Sequence, residues 1–260
     1  MADHTDVRRD FLECRHTIQN VRRDFPEWHL GRARYAMWAI DLDCPAVRQQ
    51  VATAGQHLAD LLLDGYRRQP HLTLTLCGFP SHTREHADDF GVENLEAQIE
   101  ALRRARLKPF DIEIGALASF SSAPFFHISD ASDGISALCT CLTSVKLDDR
   151  SADYTAHVTV GLYSGTWPSE AVSIRLDTFP RGDTSCCLIH RISLMSYAAA
   201  EIGGPLTTIA DYHFDQAEIE WHETPFLNED QCLIQVAPVV RQAGGPSPRC
   251  LNVLDVVSGE

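Results

Sequence analysis

Apolar positions in the first 25 residues step by four and three. Val7, Phe11, Cys14, Ile18, Val21 and Phe25 form one stripe that predicts an amphipathic helix, capped by Thr5 or Asp6 and stopped at Pro26. The period then changes. Tyr35–Asp41 reads as a strand. Pro45 suits a first helical turn, and Val47, Val51, Ala54, Leu58, Leu61 and Leu62 carry a helical stripe over 45–66. His71–Gly78 alternates with β-branched residues and predicts a second strand.

The same order then recurs. A helix is predicted at 94–107 and a strand at 110–118, followed by a short strand at 125–129. Ile135, Leu138, Leu142 and Val145 predict a helix over 132–147, before a strand at 157–163, a helix at 168–178 and a strand at 186–196. From strand start to histidine the spacing is 36 residues in the first half and 32 in the second. An internal duplication with a repeat of about 85–90 residues follows from that spacing. The division reads as an N-terminal helical extension (1–31), a main domain (32–221) and an acidic C-terminal extension (222–260). In that last part the apolar runs 232–240 and 251–257 predict a terminal hairpin or edge strands, with Pro238 favouring an edge.

Composition narrows the function. The 260 residues carry a net charge of −14, which argues against wrapping duplex nucleic acid through many phosphate contacts. Residues 199–260 hold ten Asp and Glu against two Arg, so the acid is concentrated late. A small phosphorylated ligand in a local pocket stays compatible. No apolar run approaches the roughly 18 residues of a membrane span, and the charged start MADHTDVRRD is unlike a secretory leader. Nine scattered cysteines without a CxxC pair read as reduced thiols, and the expected compartment is cytoplasmic.

His-x-Thr occurs at 71, 157 and 222, where chance alone yields about one copy. His222-Glu-Thr-Pro reads as a loop. The other two, His71-Leu-Thr73 and His157-Val-Thr159, share an apolar context and equivalent places in the two half-repeats. Side chains at i and i+2 of a strand share a face. Each His and Thr therefore project together, with Leu72, Leu74, Val158 and Val160 directed into the opposite layer. Related by a pseudo-two-fold, the pairs converge on one groove. Two imidazoles can then serve as base and acid in one in-line displacement, and two hydroxyls can donate to the phosphoryl oxygens. The chemistry needs neither metal nor cofactor.

These paired motifs, 86 residues apart, resemble those of the 2H phosphoesterase superfamily. The Tyr35–Asp41 strand, the Pro70-His71 entry, and a run from Ile192 to Phe214 with a Gly203-Gly204 turn are similar to the bacterial 2′-5′ RNA ligase / RNA 2′,3′-cyclic phosphodiesterase branch. The resemblance covers roughly 32–216. It implies a bilobal α+β fold with two antiparallel or mixed sheets around a central groove and helices on the outer faces. It also implies metal-independent cleavage of 2′,3′-cyclic or 2′-5′-linked phosphodiesters on nucleotides or short RNA ends. His71 and His157 would be catalytic and Thr73 and Thr159 phosphate-binding, with reversible 2′-5′ ligation left open. A nucleotide or RNA-end binding module without turnover is the alternative. Where members of that branch often carry an arginine after the second motif, this chain reads Gly161-Leu162-Tyr163; Arg67, Arg68, Arg84 or Arg191 are the candidates to replace it. Tyr163, Trp38 and Phe79 are candidates to stack a nucleobase. His127-Ile-Ser129 imitates the motif, but in the repeat it aligns with the Tyr35 strand.

Overall fold

A computed structural model describes residues 4–143, 154–180 and 185–223. The 231–257 hairpin and Val145 lie outside the described residues. Helix α1 spans His4–Glu13, α2 Pro26–His29, β1 Arg34–Asp41 and α3 Pro45–His57. Then come β2 (His71–Pro80), β3 (Asp89–Phe90), α4 (Val92–Ala105), β4 (Phe110–Ser119) and β5 (Pro124–Ser129). The second half continues with α5 (Gly134–Thr143), β6 (His157–Thr159), α6 (Ser169–Asp177), β7 (Ser185–Ile189), β8 (Arg191–Ala198), β9 (Thr207–His213) and β10 (Glu218–Trp221).

The expected α+β architecture is present as a six-stranded sheet, β10-β9-β8-β1-β2-β3, and a four-stranded sheet, β6-β5-β4-β7. Within them two triplets match: β8-β1-β2 and β4-β5-β6, all antiparallel. In each, the strand leading into a motif lies between the motif strand and a strand from the other half. One buried core joins the two, taking Trp38, Ile40, Leu72 and Leu74 from the first triplet and Ile112, Phe126 and Val158 from the second, with Val160 just past β6. Val47 and Ala54 of α3, Leu95 and Leu102 of α4, and Ile135, Leu138 and Leu142 of α5 close that core on the face away from the histidines.

Four predicted elements change. The N-terminal stripe yields a helix only to Glu13, where Val7 and Phe11 are buried. At Arg15 the chain takes a left-handed turn (φ 62°) and runs on as a strap. Thr17 N–H donates to Trp167 O (2.9 Å), Ile18 N–H to Ser121 O (2.8 Å) and Asn20 N–H to Tyr163 O (2.9 Å). These long-range bonds replace the local i→i−4 set, and Ile18 and Val21 are left exposed. The 45–66 helix ends at His57, after which Leu58 stays buried and Leu63 N–H donates to Leu162 O (2.7 Å). The 186–196 strand is two strands. β7 pairs with β4 and β8 with β1, the chain crossing between sheets at His190. The second motif strand is also shorter than predicted, ending at Thr159.

Among the described residues, no helix is long and apolar enough to cross a membrane.

Candidate active site

The two motif strands are built alike. On β2, Leu72 and Leu74 enter the core, which leaves His71 and Thr73 on the opposite face; on β6, Val158 enters and leaves His157 and Thr159. Just outside each motif the chain of the lead strand donates the same bond. Leu42 N–H donates to Pro70 O (3.0 Å), and Ile128 N–H donates to Ala156 O (2.9 Å). The imidazoles are fixed identically as well. His71 Nδ1 lies 2.7 Å from Gln69 O and His157 Nδ1 lies 2.7 Å from Thr155 O, each two residues upstream. A carbonyl only accepts, so both Nδ1 atoms carry hydrogen. In the neutral ring Nε2 is then the basic nitrogen, with no tautomeric choice left.

Burial depresses the basicity of both rings. His71 is pushed down to about 3, first by burial and then by the Arg68 charge; the Gln69 carbonyl opposes this, and the His157 charge adds to it. His157 is also lowered, by burial first, against the Thr155 carbonyl and together with the His127 charge. Strands β2 and β6 touch. Tyr154 Oη donates to Thr73 O (2.8 Å) and Cys139 Sγ lies 3.5 Å from Leu74 O, bracing β2 from the second half. Thr73 Oγ1 has the weak Met37 sulfur at 3.7 Å as its acceptor.

The surroundings differ between the motifs. Opposite His71 on the neighbouring strand is Asp41, bound by Arg191 at 3.0 Å. Arg191 also reaches Asp211 (2.7 Å), which takes a hydrogen bond from His222 Nε2 at 2.8 Å and holds Ser193 as well. Those contacts keep the Asp211 carboxyl below its usual range although burial alone would raise it. His222 follows β10 as a loop residue, and its Nε2 is taken up by the hydrogen bond to Asp211. Opposite His157 is His127. The rings of Phe120 and Phe125 meet His157 edge-on with centroids 5.0 and 5.2 Å away. Helix α1 reaches this wall, because Val7 packs with Ala118 and Phe125.

The expected stacking residues are corrected. Trp38 is 0% exposed, faces the core beside Leu72, and gives its indole N–H to Gln98 (3.0 Å). Tyr163 is also 0% exposed, with its hydroxyl 2.6 Å from Ser119 Oγ. Neither offers a ring face to a base. Phe79 is buried too, between Trp28, Tyr35 and the Arg32 guanidinium. Of the four candidate arginines, Arg67 is paired with Glu201, Arg84 reaches the Ala87 carbonyl from an exposed loop, and Arg191 is paired twice. Arg68 lies over the Tyr197 ring, 4.2 Å from its centroid. The sequence did not single out Gln69, Thr155 or Tyr197. A paired look at the residue two before each histidine finds the first two; only the fold finds the third. Among the described residues no group of three or more His, Cys, Asp or Glu could hold a metal ion.

No curated protein sequence matches the chain significantly. Solved structures do. Escherichia coli LigT complexed with 3′-AMP aligns at TM-score 0.47 and 19% identity, covering 70% of this chain and 98% of that one. A structure described as a phosphoesterase gives 0.47 and 19%, covering 69% and 98%. A Thermus thermophilus protein gives 0.46 and 15%, covering 69% and 97%. The family model described as the 2′-5′ RNA ligase superfamily matches residues 45–201, more than half of the sequence and both motif strands, and the chain belongs to that superfamily.

Proposed function

We propose that the protein is a metal-independent phosphodiesterase acting on 2′,3′-cyclic or 2′-5′-linked phosphodiesters of nucleotides or short RNA ends, with His71 and His157 as its acid–base pair. The observation that carries this reading is the shared tethering of the two imidazoles. Each Nδ1 is held by the carbonyl two residues upstream, so each Nε2 is the atom free to exchange a proton. A binding module needs no such equivalence.

On a 2′,3′-cyclic phosphate, His71 Nε2 takes a proton from water as the new P–O bond forms. The P–O bond to one ribose oxygen breaks, and His157 Nε2–H supplies the proton that oxygen needs. Thr73 and Thr159 donate to the non-bridging oxygens as charge builds there. An arriving phosphodiester anion raises the proton affinity of both imidazoles, and the displacement balances equally with the two roles exchanged.

The test is turnover of nucleoside 2′,3′-cyclic monophosphates and 2′-5′-linked dinucleotides by the full chain in excess chelator. Hydrolysis to monophosphates is expected. Activity that vanishes in EDTA and returns with a divalent ion would overturn the two-histidine mechanism.

A further inference from the structure

We propose that Arg68 is the cation that holds the substrate phosphate at the His71–His157 pair; this rests on the phosphodiester reading above. Arginines near the histidine face are mostly neutralised. Arg67 pairs with Glu201, Arg191 with Asp41 and Asp211, and Arg32 with Asp88 and Asp89. Among the described residues Arg68 takes no carboxylate. Its polar contact is a long one, Nε to Gly204 O at 3.4 Å. The guanidinium is half-buried, and a half-buried cation without a counter-ion is stabilised by an anion brought to it.

The backbone around Arg68 is held from both sides. Arg67 N–H donates to Gly203 O at 2.8 Å. The Gln69 amide clamps Leu206 twice, Nε2 to its carbonyl at 3.1 Å and Oε1 from its N–H at 2.8 Å. Gly203 makes this approach possible: it has φ 69°, and a Cβ there would lie 2.8 Å from the Tyr66 ring. The same Gln69 carbonyl tethers His71. Arg68 and His71 are thus set by one short, doubly clamped segment.

The ring under Arg68 belongs to the histidine face. Tyr197 packs with Met37 and Ala39, while Thr73 pairs with Ala39 and touches the Met37 sulfur. Stacking orients the planar guanidinium and leaves its remaining N–H groups for oxygen acceptors. The Arg68 charge is felt by His71, Tyr66 and Tyr197 alike. Gly161-Leu162-Tyr163, after the second motif, contributes no cation, so the charge comes from the first half.

The experiment measures binding of inorganic phosphate and of a nucleoside 2′-monophosphate by calorimetry, and kcat and KM on a 2′,3′-cyclic nucleotide. It compares wild type, Arg68→Met, Arg68→Lys and Arg67→Met. Arg68→Met should weaken phosphate binding about tenfold or more. It should also lower kcat/KM by about 100-fold and raise the His71 titration followed by NMR. Arg68→Lys keeps charge but loses the stacked plane, so it should fall between, and Arg67→Met should match wild type. Thermal melting of each variant separates loss of binding from loss of fold, and Arg68→Lys carries the test should Arg68→Met unfold. Phosphate affinity unchanged in both Arg68 variants, or a wild type that binds no phosphate, overturns the proposal. A wild type that binds phosphate through Arg68 but turns over no diester upholds it and overturns only the catalytic reading.

Discussion

The β8-β1-β2 and β4-β5-β6 triplets present one motif in two settings. In the first, the residue across from the histidine is Asp41, and beyond it run Arg191, Asp211 and His222. In the second it is His127, and the flank is Phe120 and Phe125. What the two share is confined to the backbone: the carbonyl tether two residues before each imidazole and the bond from the lead strand. What differs lies in side chains. A duplicated strand pair supplies two imidazoles tethered alike, and unlike neighbours surround each of them.

The comparison can be broken most directly at the histidines. His71→Ala and His157→Ala should each lower turnover by about 10²–10⁴, with the double variant little worse than either single, because both proton transfers belong to one displacement. Full activity in either single variant on every cyclic and 2′-5′-linked substrate would show that the nitrogens are not a pair.

Acid stability should separate the two rings from their neighbours. The folded chain holds His71 at about 3 against an ordinary 6.5, so between those values the unfolded chain binds a proton that the folded chain refuses. That contribution is whole above pH 6.5 and is lost progressively as pH falls toward 3, amounting to several kcal/mol at the bottom. In urea melts across this range, His71→Asn should flatten the decline relative to wild type. An unchanged slope would mean that His71 is accessible to protons in the folded state.

The threonines should cost less. Thr73→Val and Thr159→Val each remove about one hydrogen bond to a charged oxygen, roughly 1.5–3 kcal/mol or about 10- to 150-fold in kcat/KM. Unequal losses would show which half carries more of the phosphoryl charge.

The smallest effect concerns the imidazole across from His157. The lowered pKa of His157 means that its acid form is lost early as pH rises, so kcat/KM should already be falling below the ordinary imidazole value of about 6.5, by about tenfold per unit once established. His127→Gln removes one charge that lowers His157 and should move that declining limb to higher pH. A downward move would mean that His127 supports the protonated ring.

Much of this was readable from alternation. Leu72, Leu74, Val158 and Val160 lie in the core as their spacing required, and that alone puts His71, Thr73, His157 and Thr159 on the other faces. Aromatic positions were not readable in the same way. Trp38 faces the core because Ala39 pairs with Thr73 and Asp41 with His71, a register that one strand's sequence does not contain. Tyr163 keeps the parity of His157, but the strand ends at Thr159, after which a period of two no longer applies. The apolar stripe past Glu13 does not continue the helix, because its backbone groups find partners in distant loops. Arg68 was one of four arginines with equal standing in sequence; their counter-ions, which distinguish them, are set by tertiary contacts.

The exchange of strands between the halves bears on how the protein comes to exist at all. β4, from the first half, completes the sheet that holds His157, and β8, from the second, completes the sheet that holds His71. Neither half closes its own triplet, so the pairings that position the imidazoles join residues far apart in the chain, such as Tyr35 with Tyr197. Loop-closure entropy must be met before such contacts give anything back, and folding dominated by them is slow and cooperative. A ribosome releasing this chain would expose His71 on an unfinished sheet until β8 emerges some 120 residues later. A chain that stops before β8 would therefore leave the β1-β2 pair that carries His71 without its third strand.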